Sequence, residues 1–221
     1  MSAAQPRPRR PMNPTVRRIV DTAREEFASN GAAGVNLATI AARASVARQL
    51  IYYYFRSKGG LHLAVAQENA LDVIDDLLSR DYGELAPRAA LVAMIGDMFA
   101  QISQTISNGV GLHQCLEVQG ARGGVRSLLR SAQPAVSAKL AAILRRGAAD
   151  GGFQSGVDAD LFLATAASMM YGCLLNEAVI SAATDQDLRT PDALARWLDR
   201  TTRILLASID ASAPAHPYVR P

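Results

Sequence analysis

The chain has 221 residues, 49% of them hydrophobic and 19% charged, with a formal net charge of +3, enough for one sizeable core beside a small domain. Its two cysteines, Cys115 and Cys173, form no Cys-x-x-Cys pattern and have no histidine pair nearby, which argues against a disulfide scaffold or a zinc site and fits a reducing cytoplasm. No apolar run approaches the roughly eighteen residues of a spanning helix, no apolar signal core follows the arginine-rich start, and alanine is abundant where strands would need alternating Val, Ile and Thr, so an all-α fold is expected.

Charge is unevenly spread. Residues 1–58 carry ten Lys and Arg against three acids, net +7, and the remainder is net −4. A basic N-terminal end points to an anionic partner for that end. Residues 1–13, with Arg7, Arg9 and Arg10 among prolines, are expected to be a disordered basic arm, with phosphate or minor-groove contact and a plain disordered terminus both open. Asn13-Pro14 is a helix start. Val16, Ile19, Val20, Ala23 and Phe27 then make an apolar stripe at helical spacing, and Asn30-Gly31 supplies the stop.

The stretch Asn36–Lys58 carries the strongest signal. Leu37, Ile40, Ala41 and Ala44 precede a short break, Ser45-Val46-Ala47, and Leu50, Ile51, Tyr54 and Phe55 follow it. Two helical patterns around so short a turn read as a helix-turn-helix, with Val46 plugging the angle. On the second helix Leu50, Ile51 and Tyr54 are expected to face inward and Arg48, Gln49, Tyr52 and Tyr53 outward. Arginine can grip guanine O6 and N7, glutamine can grip adenine N6 and N7, and tyrosine hydroxyls reach phosphate oxygens. Asn36 is expected to cap the first of these helices and to lie near a phosphate; Thr39 and Arg43 share its outer side. Ser57 reads as the next cap, with Lys58 just inside it, a position where a cation calls for an external anion such as phosphate. Gly59 and Gly60 weaken that first turn and suggest a hinge.

From Pro14 to about Ala64 the chain resembles the DNA-binding domain of the tetracycline-repressor (TetR) family. The resemblance rests on Ile40-Ala41, Ala44-Ser45-Val46-Ala47, Ile51-Tyr52-Tyr53-Tyr54-Phe55 and Ser57-Lys58 at fixed spacing. Three positions depart from the family pattern. Ser45 replaces the turn glycine, Ala47 replaces the hydroxyl that caps the reading helix and contacts a phosphate, and Gly59-Gly60 stand where helix-favouring residues are usual.

Beyond it, a helix is expected from Leu61 to about Arg80 with Leu61, Val65, Leu71, Ile74 and Leu78 inward, stopped by Asp81-Tyr82-Gly83. Pro87 opens another to Ile106, with Met94, Met98 and Phe99 on one face. Leu112–Val118 is a short helix candidate, Gly120–Gly124 a loop, and Ser131–Pro134 restarts a helix that runs to Asp150. Asp158 caps a helix expected from Ala159 to about Ala182, and Thr190-Pro191 starts one to about Ile209. Both of these last two are too apolar for one-sided surface helices. Leu161, Met169, Cys173 and Ile180 are expected to face the core, and Phe162, Met170 and Leu174 a second copy of the chain, as a four-helix bundle. Residues 211–221 are expected to be a disordered tail.

The domains expected are 14–60, a three-helix helix-turn-helix, and 61–210, a helical regulatory and dimerisation body. The candidate DNA contacts are Asn36, Thr39, Arg48, Gln49, Tyr52, Tyr53 and Lys58, directed at double-stranded DNA. The candidate effector contacts are Met94, Met98, His113, Cys115, Met169, Tyr171 and Asn176, an apolar set with a few polar handles suited to an apolar or amphipathic molecule. His113 and Cys115 lie two apart and would point different ways on a helix, so they do not read as nucleophile chemistry, and no cofactor, metal or membrane partner is expected. The resemblance implies a homodimeric repressor that leaves a palindromic operator when a small molecule binds. Two rivals stand beside it: an all-helical carrier or enzyme with an incidental helix-turn-helix, and a protein that coats DNA without sequence preference.

Overall fold

The computed structural model describes residues 12–107, 122–184, 186–188 and 190–212. Among them the regular elements are all helices: α1 (Pro14–Gly34), α2 (Leu37–Arg43), α3 (Arg48–Phe55), α4 (Lys58–Ser79), α5 (Pro87–Ser107), α6 (Arg122–Ala149), α7 (Ala159–Leu175), α8 (Glu177–Thr184) and α9 (Pro191–Ile209). The helix starts follow from local chemistry, since the first backbone N–H groups of a helix need acceptors from outside it. Asn13 Oδ1 accepts from Thr15 N at 2.9 Å and Asn36 Oδ1 from Ala38 N at 2.9 Å. Ser57 Oγ accepts from Gly60 N at 3.0 Å, Asp158 Oδ1 from Asp160 N and Leu161 N at 2.9 and 3.0 Å, and Thr190 Oγ1 from Ala193 N at 3.3 Å.

Several expectations on the elements are corrected. Gly31 interrupts α1 with φ 64° and ψ 167°, as the stop signal implied, but helical backbone resumes beyond it to Gly34. Within the loop expected at Gly120–Gly124 the described residues, from 122 on, are helical, and the restart expected at Ser131 falls inside the same helix, α6, which carries Pro134. The long helix expected over Ala159–Ala182 breaks at Asn176, and the two parts, α7 and α8, are bent by 76°. The Asn176 carboxamide donates back to the Gly172 carbonyl at 2.9 Å and occupies an acceptor at the end of α7. The short helix suggested at Leu112–Val118 lies outside the described residues, as do His113 and Cys115, residues 1–11 of the basic arm, and the tail from 213 on.

By internal contacts the chain divides into two compact units, Met1–Asp76 with Gln101–Ala135, and Leu77–Ala100 with Val136–Pro221. In the first, the apolar stripes of α1, α2 and α3 close on the start of α4: Ile19, Phe27, Ile40, Ile51 and Leu61 are fully buried, with Val20, Leu37, Phe55 and Val65 around them. Phe27 also meets the His62 ring edge-on at 4.8 Å. In the second unit the buried set includes Leu91, Met94, Ile95, Leu140, Ile143, Met170, Cys173 and Leu205.

Helix α7 packs against α9 within the second unit, and Trp197 Nε1 donates to the Met169 carbonyl at 3.3 Å. Phe153 bridges Asp210, and Gln154 N donates to the Ile209 carbonyl at 2.7 Å, tying the α6–α7 loop to the end of α9. Lys139 of α6 donates to the carbonyls of Leu77, Leu78 and Arg80 and so caps the C-terminal end of α4. Burial lowers the pKa of its ammonium, with the charge of Asp81 acting the other way. Helix α5 is long and apolar enough to cross a membrane by composition. Its Asp97 takes Arg80 at 2.9 Å and the Tyr82 hydroxyl at 2.8 Å, and Leu91, Met94, Ile95, Met98 and Phe99 are buried while Val92 is exposed.

Gly59 and Gly60 look equivalent in sequence and are not equivalent in space. A Cβ on Gly60 would lie 2.0 Å from the Phe55 carbonyl oxygen, whereas one on Gly59 would meet nothing nearer than Ser57 Oγ at 3.7 Å. Gly60 is therefore set by the close approach of α3's last turn, and the pair is not a simple hinge. In urea unfolding, Gly60→Ala should lose about 1–3 kcal/mol despite alanine's better helix propensity. Gly59→Ala should be neutral or gain up to about 1 kcal/mol, and equal effects at the two positions would contradict this geometry.

Candidate nucleic-acid interface

An eight-residue helix has little stability of its own, so the position of α3 depends on what it buries. Ile51 and Phe55, four apart, form its buried stripe. The path into α3 is fixed by the turn: Ala44 N donates to Ile40 O at 2.8 Å, Ser45 N to Ala42 O at 3.1 Å and Val46 N to Ala41 O at 2.9 Å. Ser45 closes this turn with φ 54°, the left-handed conformation that glycine adopts more readily, and Val46 is half-buried against the core as the plug. Ala47 stands at the N-cap of α3 in extended conformation and makes no side-chain cap.

What remains outside is a polar and aromatic face. Arg48 and Gln49 are exposed, Tyr53 is 74% exposed and Tyr52 41%. Arg48 Nη2 donates to the Tyr52 hydroxyl oxygen at 3.0 Å, and its guanidinium carbon lies 5.5 Å from the Tyr52 ring centre. Tyr54, expected to face inward, is 39% exposed. It sits roughly 80° round the helix from the Ile51–Phe55 stripe, at the edge of the buried face, and stacks edge-on with Tyr53 at 5.1 Å.

The neighbouring candidates are placed less simply. Asn36 and Thr39 are exposed, and the Asn36 oxygen is used by its cap. The Arg43 guanidinium is held by Glu25 at 2.6 Å and by Glu26, a buried residue whose other oxygen takes Asn30 Nδ2 at 3.2 Å. The hydrogen bond to Glu26 is the main cause of a raised Arg43 pKa, and this network ties α2 to α1. Lys58 Nζ donates to the Ala33 carbonyl at 2.9 Å, so its counter-group here is the end of α1, and an ammonium's two further N–H groups remain for an anion.

The effector candidates that the structure describes all fall in the second unit. Met94 and Met98 are buried on α5, while Met169 and Tyr171 are half-buried on α7, where burial raises the Tyr171 pKa. Asn176 is exposed at the α7–α8 break. A cavity of about 460 Å³ opens where α6 meets the start of α7, lined by Leu144, Arg145, Ala148 and Val157 among others. None of its lining residues belongs to the expected set, and a mostly small and apolar lining with one charged side chain, Arg145, left no local signal for it in the sequence.

The faces of α7 are also revised. Leu161, expected in the core, is 66% exposed, whereas Phe162 and Met170, expected outward, are buried in a stripe with Ala166 and Cys173. That burial raises the Cys173 thiol pKa to about 11, which leaves it a protonated, unreactive core residue.

Fold and surface together define a helix-turn-helix DNA-binding protein. Residues 19–65 match the family model for bacterial regulatory proteins of the tetR family, and residues 118–204 match a tetracyclin repressor-like C-terminal domain. The chain belongs to the TetR family of transcriptional regulators. It is 42% identical over 59 residues to the HTH-type transcriptional repressor SCO4008 of Streptomyces coelicolor, a match that spans 27% of this chain and 31% of that protein. Among solved structures it is similar to the fatty acid degradation regulator FadR from Bacillus halodurans, at 21% identity and a TM-score of 0.60, covering 90% of this chain and 97% of that one. FadR from Bacillus subtilis in complex with stearoyl-CoA aligns at 21% identity and 0.58, covering 87% and 98%. SmeT, the repressor of the Stenotrophomonas maltophilia multidrug efflux pump SmeDEF, aligns at 22% identity and 0.57, covering 93% and 95%.

The missing cap at Ala47 is open to test. Ala47→Ser offers an oxygen to the free N–H groups of α3 and should stabilise the protein by about 1 kcal/mol in urea unfolding. It also adds a hydroxyl at the end of α3, and affinity for any DNA duplex should rise. No change in either quantity would place the α3 terminus in a different conformation.

Proposed function

We propose that the protein is a homodimeric repressor that holds a palindromic operator through α3 and releases it when an apolar or amphipathic small molecule binds the helical body. The observation that carries the reading is the α3 surface, where Arg48, Gln49, Tyr52 and Tyr53 are all exposed while Ile51 and Phe55 anchor the opposite side. In a helix-turn-helix the second helix enters the major groove by its N-terminal residues. Arg48 and Gln49 occupy that end, and they are the side chains best matched to guanine and adenine edges. Asn36, Thr39, Tyr53 and the free N–H groups of Lys58 supply backbone contacts, which fix register and carry no base information.

Dimerisation is proposed through α7 and α9. Leu161, Ala164, Thr165, Ser168 and Leu175 are exposed along α7, a surface too poor in charge for a free face, and Ile204 is exposed on α9. Two helices from each copy would bury these surfaces in a four-helix bundle. The effector is proposed to contact the apolar body near Met94, Met98, Met169 and Tyr171, with Asn176 as a polar handle. The stearoyl-CoA bound by the Bacillus subtilis relative makes a long-chain acyl compound a first probe to try.

Two experiments test this reading. Arg48→Ala and Gln49→Ala should each cost about 1–3 kcal/mol on the preferred site and relax discrimination at one symmetric pair of positions. Binding to random DNA should fall for Arg48→Ala, through lost charge, and hardly change for Gln49→Ala. An unchanged base preference in Gln49→Ala would mean that α3 sits in a different register. Separately, Leu161→Glu combined with Ile204→Glu should give monomers in sedimentation and much weaker operator binding. A double variant that remains dimeric would put the interface elsewhere.

A further inference from the structure

Arg48 and Tyr52 stand one helical turn apart, and the geometry couples them. The guanidinium donates one N–H to the Tyr52 hydroxyl oxygen at 3.0 Å and lies 5.5 Å from the centre of the same ring. We infer that Tyr52 is a positioning residue for base recognition: it holds the Arg48 guanidinium in a reading pose before DNA arrives, in addition to any contact its hydroxyl makes with the backbone. The inference rests on the proposal that Arg48 reads a base.

The chemistry allows both tasks at once. A guanidinium has five N–H groups, and the contact with Tyr52 uses one, leaving enough for the paired bonds to guanine O6 and N7. A tyrosine hydroxyl that accepts through its oxygen still has its own proton to give, and a phosphate oxygen is the natural acceptor. Phosphate, Tyr52 and Arg48 would then form one hydrogen-bonded chain, in which each bond polarises the next. Such a chain links the backbone contact that sets register to the base contact that reads sequence.

No other described group competes for this arginine. Arg48 makes no ion pair among the described residues, whereas Arg43, five positions earlier, is held by Glu25 and Glu26. A long, exposed, unpaired arginine would sample many rotamers, and ordering it on binding opposes association. With the hydroxyl and the ring both engaging it, less freedom remains to be lost. The sequence offers the same pairing: Arg48 and Tyr52 are at i and i+4, neighbours on a helix surface.

The test is a double-substitution cycle read by binding selection over randomised half-sites and by affinity for the preferred and a random duplex. Tyr52→Phe keeps the ring and removes only the hydroxyl, at a residue 41% exposed, and circular dichroism of the variant checks its helix content. The expected result is that Tyr52→Phe reduces discrimination by about 3- to 10-fold at the same base pair that Arg48→Ala relaxes. Added to Arg48→Ala, it should produce no further loss of discrimination. A uniform loss of affinity for all sequences, additive with Arg48→Ala, would overturn the inference and leave Tyr52 a phosphate contact alone. If Arg48→Ala itself leaves base preference unchanged, the reading role of Arg48 fails and the inference fails with it. The two failures are distinguished by the single variants.

Discussion

The reading surface depends on the burial of Ile51 and Phe55 beneath a helix of only eight residues. Such a helix is marginal alone, and this one lacks even a side-chain cap at its start. Fully burying a side chain of this size contributes about 1.5–3 kcal/mol, so two of them outweigh the missing cap. The packing of α1, α2 and the start of α4 around that pair thus decides which side chains of α3 are left to meet DNA. The Glu26–Arg43 network and the Lys58–Ala33 contact add polar ties to this frame.

Much of this frame was legible from the chain alone because its signals are local. Caps at Asn13, Asn36, Ser57, Asp158 and Thr190 need only a side-chain oxygen next to free N–H groups, and all five make the expected bond. The stripe of α1 is strongly periodic against polar neighbours, so its phase could be read directly. In α7 almost every residue is apolar or small, and composition then fixes no phase: Leu161 and Phe162 exchanged the roles assigned to them. The break at Asn176 was hidden for a similar reason, since no proline or glycine stands at it and the asparagine there shows its carboxamide bond to the Gly172 carbonyl only in the structure. Tyr54 was misplaced because it lies at the border of two faces, where an angular rule gives the least guidance.

The interactions invisible in sequence are those that join distant positions. That Gly60 rather than Gly59 is constrained follows from where the Phe55 carbonyl comes to rest. The cap that Lys139 places on α4 spans some sixty positions, and no local pattern announces it. The Arg48–Tyr52 pair is different in kind: its spacing is plain in the sequence, but the engagement of the hydroxyl, and with it a link between backbone contact and base contact, required the side-chain geometry.

The central claim is that α3 reads a specific sequence as part of a two-fold assembly. The most direct measurement is the enrichment of bound duplexes from a fully randomised library at physiological ionic strength, followed by the affinities of the enriched duplex and of a random one as a function of salt. The account predicts an inverted repeat whose half-sites lie about one helical turn apart or a multiple of it. It also predicts affinity that falls steeply with salt for both duplexes, with the enriched one bound at least about 10³-fold tighter throughout. Enrichment of no shared sequence, with the same affinity for selected and random duplexes, would contradict it.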